Sequence, residues 1–328
     1  MSISINSGRN NETIVLVCAA DDNYSMPLAA TLHSAIVNLK SERNVALFVI
    51  DGGITRANKR KILQTISSPK VSLNWLKPQR ARLKNLPISQ TITIAAYYRI
   101  LISDLLPNWF NKAIYLDSDL IVKGNLEELW NIDIRDNYLL AAQDMGAPYV
   151  SSPRGLINYQ NLGIPANYKY FNSGVLVLNL QKWRKDNISK TIFEYIKQNK
   201  EWVRWHDQDA LNAVIAGKWG ELDPKWNQMP YIFRFSSWKD SYFPEDVYNA
   251  LIQDPYIVHF STRDKPWKPN CNHPHKELFF QHLDIAIWSE WFEEQEAKKS
   301  MNYYKNVLYT LYAMFKGLVK RFLFEHPT

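Results

Sequence analysis

Between residues 13 and 116, short apolar runs rich in β-branched residues alternate with segments of helical periodicity, and that alternation leaves few folds open. Residues 13–19, 45–50, 71–76 and 113–116 read as buried strands. Residues 26–39 carry apolar side chains at helical spacing, with Pro27 tolerable in a first turn. Residues 55–66 read as a helix capped by Thr55, and residues 94–105 as another helix. Strand, helix, strand, helix in this order means parallel βαβ units and a mostly parallel α/β sheet covered on both faces. In such sheets ligands bind beyond the carboxyl ends of the strands. That rule points to Asp21-Asp22-Asn23 and to Asp117-Ser118-Asp119, each just past a strand. The second half is less regular: residues 139–142, 175–179 and 256–260 are strand candidates, and residues 188–198 and 207–216 helix candidates.

The 328 residues suffice for one large α/β domain, and the charge pattern separates a body from a tail. From Lys298 to Thr328 six basic residues face Glu325 alone, a net +5 out of the +7 of the whole chain. The body is therefore nearly neutral, which argues against a nucleic-acid-binding face. The expected division is a catalytic domain over 1–297 and a basic, aromatic tail over 298–328. In that tail Tyr304, Leu308, Leu311, Phe315, Leu318 and Phe322 follow one stripe of a helix, flanked by Lys305, Lys316, Lys320 and Arg321. A bilayer span needs about 20 apolar residues; the stripe instead suits a helix lying on an anionic membrane surface through residues 300–328. Cys18 and Cys271 make neither a disulfide framework nor a paired-cysteine metal site, so a reducing, cytoplasmic setting is expected, with peripheral attachment at the inner face of the membrane through the tail. The run Ile14-Val15-Leu16-Val17-Cys18-Ala19-Ala20 could pass for a secretory core with a small-residue cleavage site, but it is short, lacks a clearly basic front and enters the polar Asp21-Asp22-Asn23, as a buried strand does.

Chemistry concentrates in a few places. In Tyr115-Leu116-Asp117-Ser118-Asp119-Leu120-Ile121-Val122 two acids stand two residues apart between apolar runs. In an extended segment they share a side, and their repulsion is relieved by a cation. Hard divalent ions take oxygen ligands, and manganese also accepts imidazole. His259 lies in an apolar run, and Lys265-Pro266-Trp267 follows it with a point charge suited to phosphate. Asp207-Gln208-Asp209 begins a helix, where acids cap free N–H groups or, alternatively, stand beside a reacting carbon. Phe171-Asn172-Ser173-Gly174-Val175 reads as a polar turn entering a strand, with Asn172 a candidate clamp for a sugar hydroxyl.

Taken together and in this order, these segments resemble glycosyltransferase family 8 over roughly residues 13–275, with bacterial lipooligosaccharide α-galactosyltransferases the nearest likeness and glycogenin a more distant one. The resemblance rests on Ala19-Ala20-Asp21-Asp22-Asn23-Tyr24, the Asp117-Ser118-Asp119 segment, the Asn172 segment, Asp207-Gln208-Asp209, and His259 with Lys265-Pro266-Trp267. It implies a Rossmann-like GT-A fold and a retaining hexosyltransferase that moves glucose or galactose from a UDP-sugar to a glycan or glycolipid. Under it, Asp117, Asp119 and His259 hold Mn²⁺, with Mg²⁺ the alternative ion. Donor contacts fall to Ala19, Asp21, Asn23, Tyr24, Arg99, Ser118, Asp144, Asn172, Asp207 and Lys265, and Gln208 and Asp209 stand at the reacting carbon. Thr262 departs from the family pattern, since it stands near the place of a glycine that brings backbone to the phosphate; Arg263 is the neighbour placed to compensate.

Retention requires a covalent intermediate or attack from the leaving-group face. The amide of Gln208 is a poor nucleophile, which favours same-face attack guided by the departing diphosphate oxygen. Two other classes compete: a nucleotidyltransferase on a similar sheet, and a non-catalytic sugar-nucleotide-binding protein. The first would carry a glycine- and lysine-rich triphosphate loop after its first strand, which residues 20–24 lack, and the second would have lost the paired acids.

Overall fold

A computed structural model of the protein describes residues 13–66, 68–78, 80–84, 86–87 and 94–294. The basic tail lies outside the described residues. The chain divides into two compact units, the first ending at Leu283 and the second beginning at Asp284.

Nine strands occur among the described residues: β1 (Thr13–Ala20), β2 (Asn44–Asp51), β3 (Val71–Leu76), β4 (Lys112–Leu116), β5 (Leu120–Val122), β6 (Leu139–Gln143), β7 (Phe171–Asn179), β8 (Gly220–Glu221) and β9 (Ile257–His259). Seven form one sheet in the order β3-β2-β1-β4-β7-β6-β8. The β1–β2, β2–β3, β1–β4 and β6–β8 pairings are parallel, and β7 alone runs antiparallel to both its neighbours. The order turns outward on either side of β1 and β4, which places their carboxyl ends at a switch point where a crevice opens. Val15, Leu16, Val17 and Cys18 of β1 are fully buried, as a central parallel strand requires.

The helices follow the sequence reading at the start. Helix α1 (Ser25–Val37) buries ten of its residues, and α2 (Arg56–Thr65) is capped by the Thr55 hydroxyl, which accepts from the Asn58 N–H at 3.2 Å. The segment expected as one helix over 94–105 is instead a 3₁₀ stretch, Ile94–Leu101, passing into a single turn, α3 (Ile102–Leu105). The tighter winding accompanies a buried Arg99, whose Nε bonds back to the Ala96 carbonyl at 3.1 Å.

Two further differences shape the site. Residues 171–174 are not a turn before β7 but part of it. Its ladder with β6 jumps from the Ala141–Leu176 pair to the Gln143–Phe171 pair, so the intervening residues bulge. A bulge re-aims side chains, and here it turns Asn172 and Ser173 into a polar cluster. The helix containing Gln208, α7 (His206–Ile215) after α4 (Leu126–Asn131), α5 (Leu180–Lys185) and α6 (Ile188–Gln198), has no side-chain cap from the residue before it. Asp209 reaches back to the N–H groups of Arg204 at 2.7 Å and Trp205 at 2.8 Å. His206 turns the chain with φ of 52°, a left-handed conformation costly for a residue with a Cβ.

Candidate active site

The paired acids occupy the connection from β4 to β5. Beyond it, β5 runs antiparallel to β9 with Leu120 opposite His259, and the Phe260 N–H donates to the Asp119 carbonyl at 3.0 Å. This small second sheet joins Asp119 to a residue 140 positions later in the chain. His259 Nε2 stands 3.3 Å from Asp119 Oδ1 and 3.7 Å from Asp117 Oδ2. Among the described residues these three form the one group whose ligand atoms fit around a metal ion, all within 4.8 Å of one another.

The donor set fits a hard divalent cation. Asn227 Oδ1 lies 2.8 Å from His259 Nδ1, while Asn227 Nδ2 donates to Asn172 Oδ1 at 2.9 Å. With its amide oxygen turned to the ring, Asn227 fixes the proton on Nδ1 and leaves the Nε2 lone pair facing two carboxylates. That is a ligand's tautomer with an orienting partner behind it. Burial alone would raise the Asp119 carboxyl, but the Lys265 ammonium, by its charge and its hydrogen bond, holds it well below the usual carboxylate range. Gly174 is the close approach that permits this packing. A Cβ there would lie 2.2 Å from His259 Cε1 and 2.9 Å from Asp117 Oδ2.

Arg99 organises the neighbouring acids. Its guanidinium meets Asp117 Oδ1 at 2.8 Å and Asp207 Oδ2 at 2.9 Å, donates to the Ser173 carbonyl at 2.5 Å, and lies 4.7 Å from the Tyr115 ring centroid. A buried cation needs this density of partners. Burial, offset in part by Arg99 and reinforced by the Asp117 charge, pushes the Asp207 carboxyl up to about 6. The Tyr115 hydroxyl donates to Asp117 Oδ1 at 2.8 Å.

Gln208 is held in one orientation. Its Oε1 accepts from Asn172 Nδ2 at 3.2 Å and from the Ser173 N–H at 3.1 Å, and its Nε2 donates to Asp144 Oδ2 at 3.1 Å. Asn172 Nδ2 also reaches Asp144 Oδ2 at 3.0 Å. A polar relay therefore runs from Gln208 and Asp144 through Asn172 and Asn227 to His259. Asp209, adjacent in sequence, faces elsewhere: it is fully buried and accepts from the Tyr170 hydroxyl at 2.7 Å as well as from the two backbone N–H groups.

The remaining expected residues gather around the end of β1. Ser118 Oγ donates to the Ala19 carbonyl at 2.7 Å, tying the acid pair to that strand. Asp21 caps a short turn by accepting from the Asn23 and Tyr24 N–H groups at 3.1 and 3.3 Å. Tyr24 packs edge-on against Trp267 with ring centroids 5.9 Å apart, which brings the first loop to the Lys265 segment. Lys265 is buried, and its ammonium is directed at Asp119 and at the Phe260 carbonyl.

The family model for glycosyl transferase family 8 matches residues 15–271, a span that includes every residue of this cluster. The chain belongs to glycosyl transferase family 8. It is 33% identical over 284 residues to general stress protein A of Bacillus subtilis, a match covering 86% of this chain and 96% of that protein. It is 25% identical over 303 residues to a lipopolysaccharide 1,2-glucosyltransferase of Escherichia coli, covering 91% and 86%. Among solved structures it is similar to the galactosyltransferase LgtC in complex with donor and acceptor sugar analogues, with a TM-score of 0.71 and 27% identity over 82% of this chain and 95% of that one. The fold is thus the GT-A fold, and the protein is a glycosyltransferase.

Asn227 and His206 escaped the sequence reading, and Tyr115 and Ser173 lay in recognised segments without a role. Asn227 stands in a Trp-Asn-Gln stretch with no periodic or charge signal, and only its place across from His259 gives it meaning.

Proposed function

We propose that this glycosyltransferase moves a hexose, glucose or galactose, from a UDP-sugar to a hydroxyl of a glycan or glycolipid, forming an α-linkage with retention. The observation that carries the reading is the convergence of Asp117, Asp119 and His259 with Arg99 on one side and the Gln208–Asp144–Asn172 cluster on the other. Four acids there, Asp117, Asp119, Asp144 and Asp207, face two bases, Arg99 and Lys265, so the excess negative charge suits a divalent cation.

Asp117, Asp119 and His259 would hold Mn²⁺, with Mg²⁺ the alternative, and Lys265 stands on the second oxygen of Asp119. When bound, the ion supplies positive charge to the departing diphosphate, worth several kcal/mol in the transition state. Ala19, Asp21, Asn23, Tyr24 and Ser118 would line the nucleotide end; Arg99, Asp144, Asn172 and Asp207 would bind the sugar. Gln208 faces the sugar with an amide whose oxygen already accepts two hydrogen bonds, which lowers its nucleophilicity further. This supports same-face attack, with Gln208 bracing the positive charge that grows on the ring. Asp209 positions the loop before Gln208 rather than touching substrate.

The test is a donor screen with released nucleoside diphosphate as readout. Turnover should vanish in excess chelator and return with Mn²⁺, Asp119→Ala should be folded and inactive, and the product's anomeric coupling should be that of an α-linkage. Full activity in chelator removes the metal assignment, and a β-linked product removes retention.

For location, we infer a cytoplasmic enzyme held at the inner membrane face by residues 300–328, the charge pattern of the sequence being the support. Among the described residues no helix is long and apolar enough to cross a membrane. The intact protein should sediment with anionic vesicles at low salt and a chain ending at residue 297 should not; equal sedimentation of the two refutes the anchor.

A further inference from the structure

Two exposed arginines near Gln208 have their guanidinium groups stacked on aromatic rings and make no ion pair among the described residues. Arg154 lies 4.4 Å from the Trp205 ring centroid and 5.3 Å from that of Tyr231, and Arg234 lies 4.2 Å from Tyr231. The ladder Trp205–Arg154–Tyr231–Arg234 draws on three separate segments, the last a 3₁₀ helix, Pro230–Arg234, and the backbone around Arg154 is firmly held. Arg204 donates to the carbonyls of Pro153 at 3.0 Å and of Gly155, and Trp205 Nε1 donates to the carbonyl of Arg154 at 2.9 Å. Three consecutive carbonyls are thereby taken by two residues whose own N–H groups are held by Asp209. The Arg154 side chain is thus presented from a loop braced by Arg204 and Trp205, and Trp205 stands three positions before Gln208.

The other end of the ladder also touches the site. The Tyr231 ring covers Gly146, where a Cβ would meet it at 2.9 Å. The Gly146 N–H donates to Asp144 Oδ1 at 2.8 Å, and Asp144 holds Gln208 through its other oxygen. Tyr149 and Tyr242 are 43% and 42% exposed, enough for a ligand to reach part of each ring, though Tyr242 leans on Phe243 with centroids 4.5 Å apart. Tyr242 packs edge-on against Phe235, the neighbour of Arg234, with ring centroids 5.9 Å apart.

Aromatic faces suit saccharide rings, and planar guanidinium groups suit oxyanions bidentately. Stacking on the rings pre-orders each guanidinium without using its N–H donors. The donor diphosphate falls to Lys265 and the metal-ligand group in the proposed function, and these connect to the ladder through the relay His259–Asn227–Asn172–Asp144–Gly146. We propose that Arg154 and Arg234 form an anion-selecting acceptor subsite, so that the acceptor is a saccharide bearing a phosphate or carboxylate group and its ring lies against Tyr149 or Tyr242. This rests on the glycosyl-transfer reading above and narrows its acceptor class.

Ligand-observed NMR on the full chain tests it, with glucose 6-phosphate, glucose 6-carboxylate (glucuronic acid), glucose and inorganic phosphate as probes. Charge-assisted hydrogen bonds predict that the two anionic sugars bind roughly tenfold or more tightly than glucose. The doubly substituted R154Q/R234Q protein should lose most of that preference. Its fold should be intact, since the contacts that brace residues 153–155 are made by backbone carbonyls; UDP with Mn²⁺ should bind it as it binds the unsubstituted protein. A preference that survives R154Q/R234Q overturns the proposal, as does glucose binding equal to that of the anionic sugars. Inorganic phosphate binding as tightly as glucose 6-phosphate overturns the saccharide part, and displacement of glucose 6-phosphate by UDP moves the site to the donor. Failure of every form to bind UDP would sink the donor reading instead, and the anion preference would still be read from the same titrations.

Discussion

The two halves of the sheet solve different problems. From β1 to β4 the chain builds a regular parallel layer whose inner strands β1, β2 and β4 are apolar between their ends, with Ser72 and Asn74 confined to the edge strand β3, and the polar groups that matter to the site stand past the strand ends: Asp21, Ser118 and the acid pair. From β6 to β9 the chain is irregular. It has a bulge in β7, a left-handed His206, a helix braced from within by Asp209, and a two-residue β8. Under the proposed function, regularity positions the nucleotide-binding edge with few side chains to place. Irregularity is what it takes to bring Asn172, Ser173, Gln208, Asn227 and His259 to one point from four separate segments.

Gly174 offers the sharpest way to break this contrast. It lies in the bulge, where an added methyl group would overlap His259 and Asp117. Gly174→Ala should lower kcat by about 100-fold or more, the scale of an ångström misplacement at a reacting centre, with a modest fall in Tm from overpacking of about 1–3 kcal/mol. The counterpart in the regular half is Ile14→Val in fully buried β1, which should cost about 0.5–1.5 kcal/mol of stability and leave the activity of the folded enzyme unchanged. Steady-state kinetics and thermal melts on the same preparations give both readings. Activity retained in Gly174→Ala, or lost in Ile14→Val, would erase the distinction.

The same contrast explains what could be read from the amino acids. The four strands and two helices of the first half announce themselves by period and by caps such as Thr55, because local spacing and tertiary burial agree there. The paired acids were legible for the same reason, being idle charge between apolar walls. In the second half local pattern and tertiary role diverge. Asn172-Ser173-Gly174 has turn composition yet sits in a strand, since its side chains are satisfied by Gln208, Asp207 and Asp144 rather than by a turn. The expectation of a single helix over 94–105 missed the 3₁₀ winding because Arg99 is committed to Asp117 and Asp207, residues far away in the chain. Asn227 carries no local signal at all. For Asp209 the sequence offered capping of free N–H groups or a place beside the reacting carbon; it accepts from two N–H groups before the helix and from a Tyr170 hydroxyl 39 positions away, a partner no local pattern signals.

Acid should sharpen the comparison more gently, through histidines that gather in the second half. Burial lowers His33, His206 and His275; burial reinforced by a neighbouring imidazole lowers His273 and His282 to about 4. In the His33–His282 pair the two Nδ1 atoms are 3.2 Å apart, so one must donate and the other accept, an arrangement lost once both are protonated. The ordinary histidine value is 6.5. Between 6.5 and about 4 the unfolded chain therefore binds more protons at these positions than the folded one, and stability rises with pH. This contribution is fully present above 6.5 and is lost as the pH falls toward 4. Burial raises Asp207 and Asp209, whose effect has the opposite sign, with folded protein favoured while they are protonated. We expect the five lowered histidines, two of them lowered to about 4, to outweigh the two raised carboxyls. Urea midpoints measured from pH 7 to pH 4.5 should fall steadily, and His282→Gln should shallow the slope by removing one member of the pair. Midpoints that stay level over that range would mean that the buried imidazoles are protonated as readily in the fold as outside it, and that the irregular half is no more acid-sensitive than the regular one.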